Sequence, residues 1–137
     1  MRALIDTCVI IDALQNRIPF DEDARKIFRA LAKEQFTGYI TAKEAADIFY
    51  LTHRFTHDND QTRTIMSKLL AVFDLLDTAA DDCRNALFSQ VTDFEDAMMI
   101  ETALREKIDC IVTRNIRDYK DSSIEVFTPQ QFLCHIQ

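Results

Sequence analysis

Ala3-Leu4-Ile5-Asp6-Thr7 decides the fold: three apolar residues in a row, then an acid. Such a run is too short for a helix and fits one buried strand. The pattern recurs along the chain. Tyr39-Ile40-Thr41 is followed by Glu44, and Cys110-Ile111-Val112-Thr113 runs into Arg114-Asn115-Ile116-Arg117-Asp118. Leu75-Leu76 and residues 125–127 read as two further strands. Helices are expected between them, at 9–14, 21–34, 42–55, 60–73, 79–88 and 94–107. The 21–34 segment sets Ala24, Ile27, Phe28 and Leu31 on one face, and the 42–55 segment aligns Ala45, Ile48, Phe49 and Thr52. Thr128-Pro129-Gln130-Gln131 opens a last helix, with an N-cap Thr, Pro at the first position and Gln to close a capping box. Gly38, the only glycine, is read as the turn into the second strand.

Short strands alternating with helices define an α/β chain built around a mostly parallel sheet, with helices on both faces. In such sheets ligands bind beyond the carboxyl ends of the strands. Asp6, Thr41 with Glu44, and Thr113 would all stand at that edge. A helix opening on Asp93-Phe94-Glu95-Asp96-Ala97 adds two acids one turn apart.

Composition narrows the class. The 137 residues suit one domain with a real core. No apolar stretch approaches the roughly 20 residues needed to span a bilayer. No signal sequence is read at the start, so the four cysteines, Cys8, Cys83, Cys110 and Cys134, are expected as reduced thiols in the cytoplasm. A net charge of −7 disfavours a general nucleic-acid binder and leaves room for a local basic patch or a bound cation.

Each acid also has a plain structural reading. Thr41-x-x-Glu44 and Thr92-x-x-Glu95 have the form of capping boxes, and Asp93 and Asp96 lie in a helix first turn. Asp6 resists that reading best, because it follows a buried run and an unpaired buried carboxylate is costly. Acids that converge repel one another unless a cation intervenes. Mg²⁺ and Mn²⁺ favour carboxylate and water oxygens, and no soft-ligand cluster competes.

With Leu4-Ile5-Asp6-Thr7-Cys8-Val9, Thr41-Ala42-Lys43-Glu44, Asp93-Phe94-Glu95-Asp96-Ala97 and Val112-Thr113-Arg114-Asn115-x-x-Asp118-Tyr119 in order, the chain resembles the PIN domain, and more closely the VapC-like toxins of type II toxin–antitoxin systems. The resemblance implies a single α/β/α sandwich over residues 1–137, with a sheet of four or five short strands. It implies Mg²⁺- or Mn²⁺-dependent cleavage of RNA, a homodimer and an antitoxin partner. By position, Asp6, Glu44 and Asp96 match the family's core acids. Asn115 falls where a fourth acid often stands, and Asp93 or Asp118 would supply that charge. Thr113 matches a polar position that orients a water or an acid. The expected chemistry makes Asp6 and Asp96 direct metal ligands, with Glu44 placing the attacking water or a second metal. Arg114 and Arg117, with Lys120, Arg2, Arg54 and Arg63, are candidate phosphate contacts.

Two other readings stay open at this point. A non-catalytic or weakly active RNA-binding or scaffold member of the same fold would explain Asn115 and the acidic balance. A phosphoacceptor domain would use Asp77, yet needs a Lys after its last strand, where this chain has Thr128. His53 and His57, one turn apart, are expected as a solvated helix end.

Overall fold

The computed structural model describes residues 1–137. Five strands, β1 (Arg2–Ile5), β2 (Thr37–Thr41), β3 (Asp74–Leu76), β4 (Cys110–Val112) and β5 (Glu125–Phe127), form one sheet in the order β3-β2-β1-β4-β5. Every neighbouring pair is parallel. Seven α-helices connect them: α1 (Thr7–Leu14), α2 (Asp21–Ala32), α3 (Ala42–Thr56), α4 (Asn59–Val72), α5 (Ala80–Ala86), α6 (Phe94–Arg105) and α7 (Pro129–His135). A 3₁₀ turn, Ile116–Tyr119, follows β4.

Strand alternation divides the core in two. Ala3, Ile5, Cys110 and Val112 point into a layer built with α1, α2, α3, α4 and α7. Leu4 and Ile111 point the other way, against Ala97, Met99, Ile100 and Ala103 of α6 and Ala86 of α5. The result is the α/β/α sandwich that the short buried runs imply. In the second layer Asp82 fastens α5 to α6. Its buried carboxylate accepts bonds from the Ala79 N–H, the Thr102 hydroxyl and the Arg105 guanidinium.

Gly38 is not the turn residue. It lies within β2, and the chain turns instead at Glu34, whose φ is 56°. The reason for glycine is packing: a Cβ at position 38 would sit 2.9 Å from Leu31 Cδ1 and 3.0 Å from the Phe73 ring. Gly38→Ala is therefore expected to cost about 1–3 kcal/mol through overpacking. A denaturant midpoint equal to wild type would show that the two side chains yield freely.

Candidate active site

The order of strands reverses between β1 and β4, which places a crevice at their carboxyl ends. Asp6 follows β1 and caps α1 by position, and its N–H donates to Val112 O at 2.9 Å. Its carboxylate is held from across the switch point. The buried Thr113 hydroxyl donates to Asp6 Oδ2 at 2.7 Å and accepts the Asn115 N–H at 3.1 Å. Cys8 Sγ adds a weaker bond to the same oxygen at 3.4 Å.

Glu44 is a helix cap whose carboxylate also reaches the cleft. It closes a capping box with Thr41, Oε1 accepting the Thr41 N–H at 3.0 Å. Its Oε2 accepts the Thr7 hydroxyl at 3.3 Å, next to Asp6. Asp96 sits in the first turn of α6, where Asp93, not Thr92, is the N-cap and accepts the Asp96 N–H at 3.0 Å. Asp96 Oδ1 in turn accepts the Tyr119 hydroxyl at 3.0 Å.

Asp6, Glu44 and Asp96 line one cleft of about 310 Å³, together with Thr7, Thr41 and Thr102. The only base in its wall, Lys43, is bonded to two other acids, Asp47 and Glu95. None of the three central carboxylates has an ion-pair partner. Burial pushes Asp6 above the usual carboxylate range, against the Thr113 and Cys8 bonds. Burial, then the charge of Asp6, pushes Glu44 well above it. Asp96 is raised to about 6 by burial; the Tyr119 bond opposes this, while Asp93, Asp6 and Asp118 add to it. The acids are not gathered into a finished cage, since no three His, Cys, Asp or Glu side chains are close enough to hold a metal as they stand. Even so, Asp6 Oδ1 and Asp96 Oδ2 each lack a side-chain donor. An all-oxygen set of this kind has the chemistry that suits a hard cation.

This imbalance sets the pH response of the metal-free protein. A carboxyl raised in the folded state binds more protons there than in the unfolded chain, so stability falls as pH rises through the interval between the two values. For Asp96 that interval runs from 3.8 to about 6, and Asp6 and Glu44 act in the same direction. Asp82 has the opposite sign. Burial raises it, but the Arg105 bond leads the contacts that hold it below 3.8, so its contribution fades only under that pH. Melting in EDTA is expected to fall between pH 4 and pH 6.5, with Asp96 contributing roughly 1–2 kcal/mol after allowance for its half-exposure. A melting temperature rising across that range would contradict the placement of the acids.

The remaining candidates divide. Asp93 is exposed, acts as a cap, and shares a polar depression with Arg117, Asp118, Lys120 and Asp121, outside the cleft. Asn115 is exposed and makes its bond through its backbone. Arg114 is already engaged within the fold: its guanidinium grips the buried Asp12 through two bonds, 2.6 and 3.2 Å, and stacks 4.1 Å from the Phe20 ring centroid. Arg2 lies at the opposite end of β1, bonded to Tyr39 and the Glu106 carbonyl. His53 stacks on Phe49, and His57 ends α3 in a left-handed conformation. Asp77 follows β3 at the sheet edge, away from the switch point. Tyr119 closes the last of the four motifs, yet the sequence gives its hydroxyl no role until the fold brings it beside α6.

Together these features define a class: a parallel α/β domain whose switch-point cleft is lined by carboxylates without ion-pair partners. A family model described as PIN domain matches residues 2–117, and the chain belongs to the PIN domain family. Solved structures share the fold. The structure described as VapBC2 from Rickettsia felis bound to a promoter DNA fragment is 16% identical, with 93% of this chain and 97% of that one covered at a TM-score of 0.70. A toxin–antitoxin complex from Klebsiella pneumoniae is 21% identical, covering 93% and 97% at 0.68. The sarcin–ricin-loop-cleaving toxin VapC20 of Mycobacterium tuberculosis is 12% identical, covering 90% and 98% at 0.66. A search of curated proteins finds none that matches.

Proposed function

We propose that this chain is a divalent-metal-dependent endoribonuclease, a hydrolase of phosphodiester bonds in RNA and the toxin of a toxin–antitoxin pair. The observation that carries this reading is the cleft that Asp6, Glu44 and Asp96 line with no ion-pair partner of their own. Asp6 and Asp96 are the residues to hold Mg²⁺ or Mn²⁺, with Glu44 beside them. Such a cation supplies Lewis acidity toward a phosphoryl oxygen and lowers the pKa of its bound water. The chain's residues do the rest. Thr113 fixes the rotation of Asp6, and Thr7 ties Glu44 to the same corner. Glu44, raised by burial and by Asp6, is suited to take a proton from water as general base. Asp93 and Asp118 add negative charge near Asp96 in place of an acid at Asn115. The exposed Arg117 and Lys120 stand beside Asp93 and Asp118 and are proposed to meet substrate phosphates.

Partners follow by analogy with the similar structures, described as a toxin–antitoxin complex or as a sarcin–ricin-loop-cleaving toxin. We assign this chain an RNA substrate, an antitoxin, a homodimeric state and a cytoplasmic location, the last in keeping with four free cysteines. No helix is long and apolar enough to cross a membrane. The test is cleavage of RNA in Mg²⁺, Mn²⁺ or EDTA, with Asp96→Ala as comparison. Cleavage is expected only with the cation, and the variant should lose more than about 100-fold, beyond the loss typical of groups that merely support a ligand. Equal rates in both proteins would sink the site assignment.

A second reading, a non-catalytic binding or scaffold protein, is favoured by the neutral Asn115 and by acids that are not yet gathered. Calorimetry separates the two: no heat of Mn²⁺ binding at millimolar metal supports the scaffold.

A further inference from the structure

Tyr119 is 2% exposed, and its ring packs in the core layer that includes Leu4, Ala97, Ile111 and Ile124. A buried phenol needs a hydrogen-bond partner. The one it has is Asp96 Oδ1, 3.0 Å away and 23 residues back in the chain. The ring has only two side-chain torsions, both constrained by packing, so the hydroxyl is delivered from a fixed point. The same short segment also holds the other acid. Thr113 donates to Asp6, the Asn115 N–H donates to Thr113, and the Asp118 N–H closes the 3₁₀ turn on the Asn115 carbonyl. Residues 113–119 therefore carry one hydroxyl for each of the two acids that flank the cleft.

We propose that Tyr119 is a positioning residue of this site: its buried hydroxyl fixes the rotation of Asp96, as Thr113 fixes Asp6, so that the 113–119 segment sets how the two carboxylates present their free oxygens to a cation. The proposal rests on the metal-dependent reading above. Tyr119 touches no substrate and acts only through Asp96. Its role is distinct from that of a packing residue, because removing the oxygen alone leaves the ring and its apolar contacts in place.

The experiment is Mn²⁺ titration by calorimetry of the full chain, using wild type, Asp96→Asn, Tyr119→Phe and Tyr39→Phe, each checked by thermal melting. Tyr39 is a control because its hydroxyl meets Arg2 and does not line the cleft. Tyr119→Phe is expected to weaken Mn²⁺ binding about 10-fold or more, the usual effect of losing an outer partner of a ligand. Its melting temperature should stay within a few degrees of wild type, and Tyr39→Phe should bind as wild type does. If Asp96→Asn loses binding while Tyr119→Phe keeps the wild-type affinity, the positioning role is overturned and the metal site stands. If wild type binds no Mn²⁺, both the metal reading and this proposal fall.

Discussion

Asp6→Asn is expected to move activity and stability in opposite directions. The proposed RNA cleavage should fall by more than about 100-fold, because a neutral amide is a poor ligand for a hard cation and Asp6 is the acid at the switch point. The metal-free protein should gain about 1–2 kcal/mol, a common yield when a strained functional group is removed. The gain has an identifiable source. Asp6 has no ion-pair partner, burial disfavours its charge, and that charge also raises Glu44 and Asp96. Asparagine keeps the size and still accepts the Thr113 hydroxyl. Metal should reverse the ranking: saturating Mn²⁺ stabilises wild type through binding and leaves the variant unmoved. Paired melts in EDTA and in Mn²⁺ check both signs, and a variant less stable than wild type in EDTA would show that Asp6 is a structural acid.

Arg114→Ala is expected to damage the fold severely. Its partner Asp12 is 1% exposed on α1, and the two bonds cross from the end of β4. Removing the guanidinium leaves a buried carboxylate without its counter-charge, a change that costs about 3–5 kcal/mol. For a chain of this length that corresponds to a melting temperature lower by roughly 10–15 °C. The phosphate-contact reading predicts the reverse pattern, with weaker RNA binding and unchanged melting. The double variant Asp12→Leu, Arg114→Met should recover much of the loss, since apolar groups of similar volume often replace a buried pair without penalty. If Arg114→Ala melts within 2 °C of wild type, the pair is incidental.

The contrast between these residues shows what the linear chain discloses. Asp6 is legible because a carboxylate ending an apolar run has few structural uses. Glu44 and Asp96 are legible as members of an ordered set, even though Glu44 also closes a capping box and Asp96 is itself capped by Asp93. The sheet is legible in its strand segments and its direction, because buried parallel strands need continuous apolar runs. Arg114 is not: a basic residue beside a site looks the same whether it faces phosphate or a buried acid 102 positions away. Gly38 misleads for a related reason. Glycine serves both turns and close packing, and only Leu31 and Phe73 decide which. Tyr119 gives no local signal, since its hydroxyl matters through a contact that the fold alone creates.

The bond from Thr113 to Asp6 also orders events in time. Thr113 reaches Asp6 across 107 residues, and β4 is the strand that flanks β1 on that side. Domains generally fold as they are synthesised, and contacts between distant segments wait for the later segment to arrive. A growing chain that has displayed Asp6, β2 and α3 still lacks the neighbour strand, the Thr113 hydroxyl and the Tyr119 turn. The acid cleft therefore stays incomplete until residues 113–119 are available to supply their two hydroxyls.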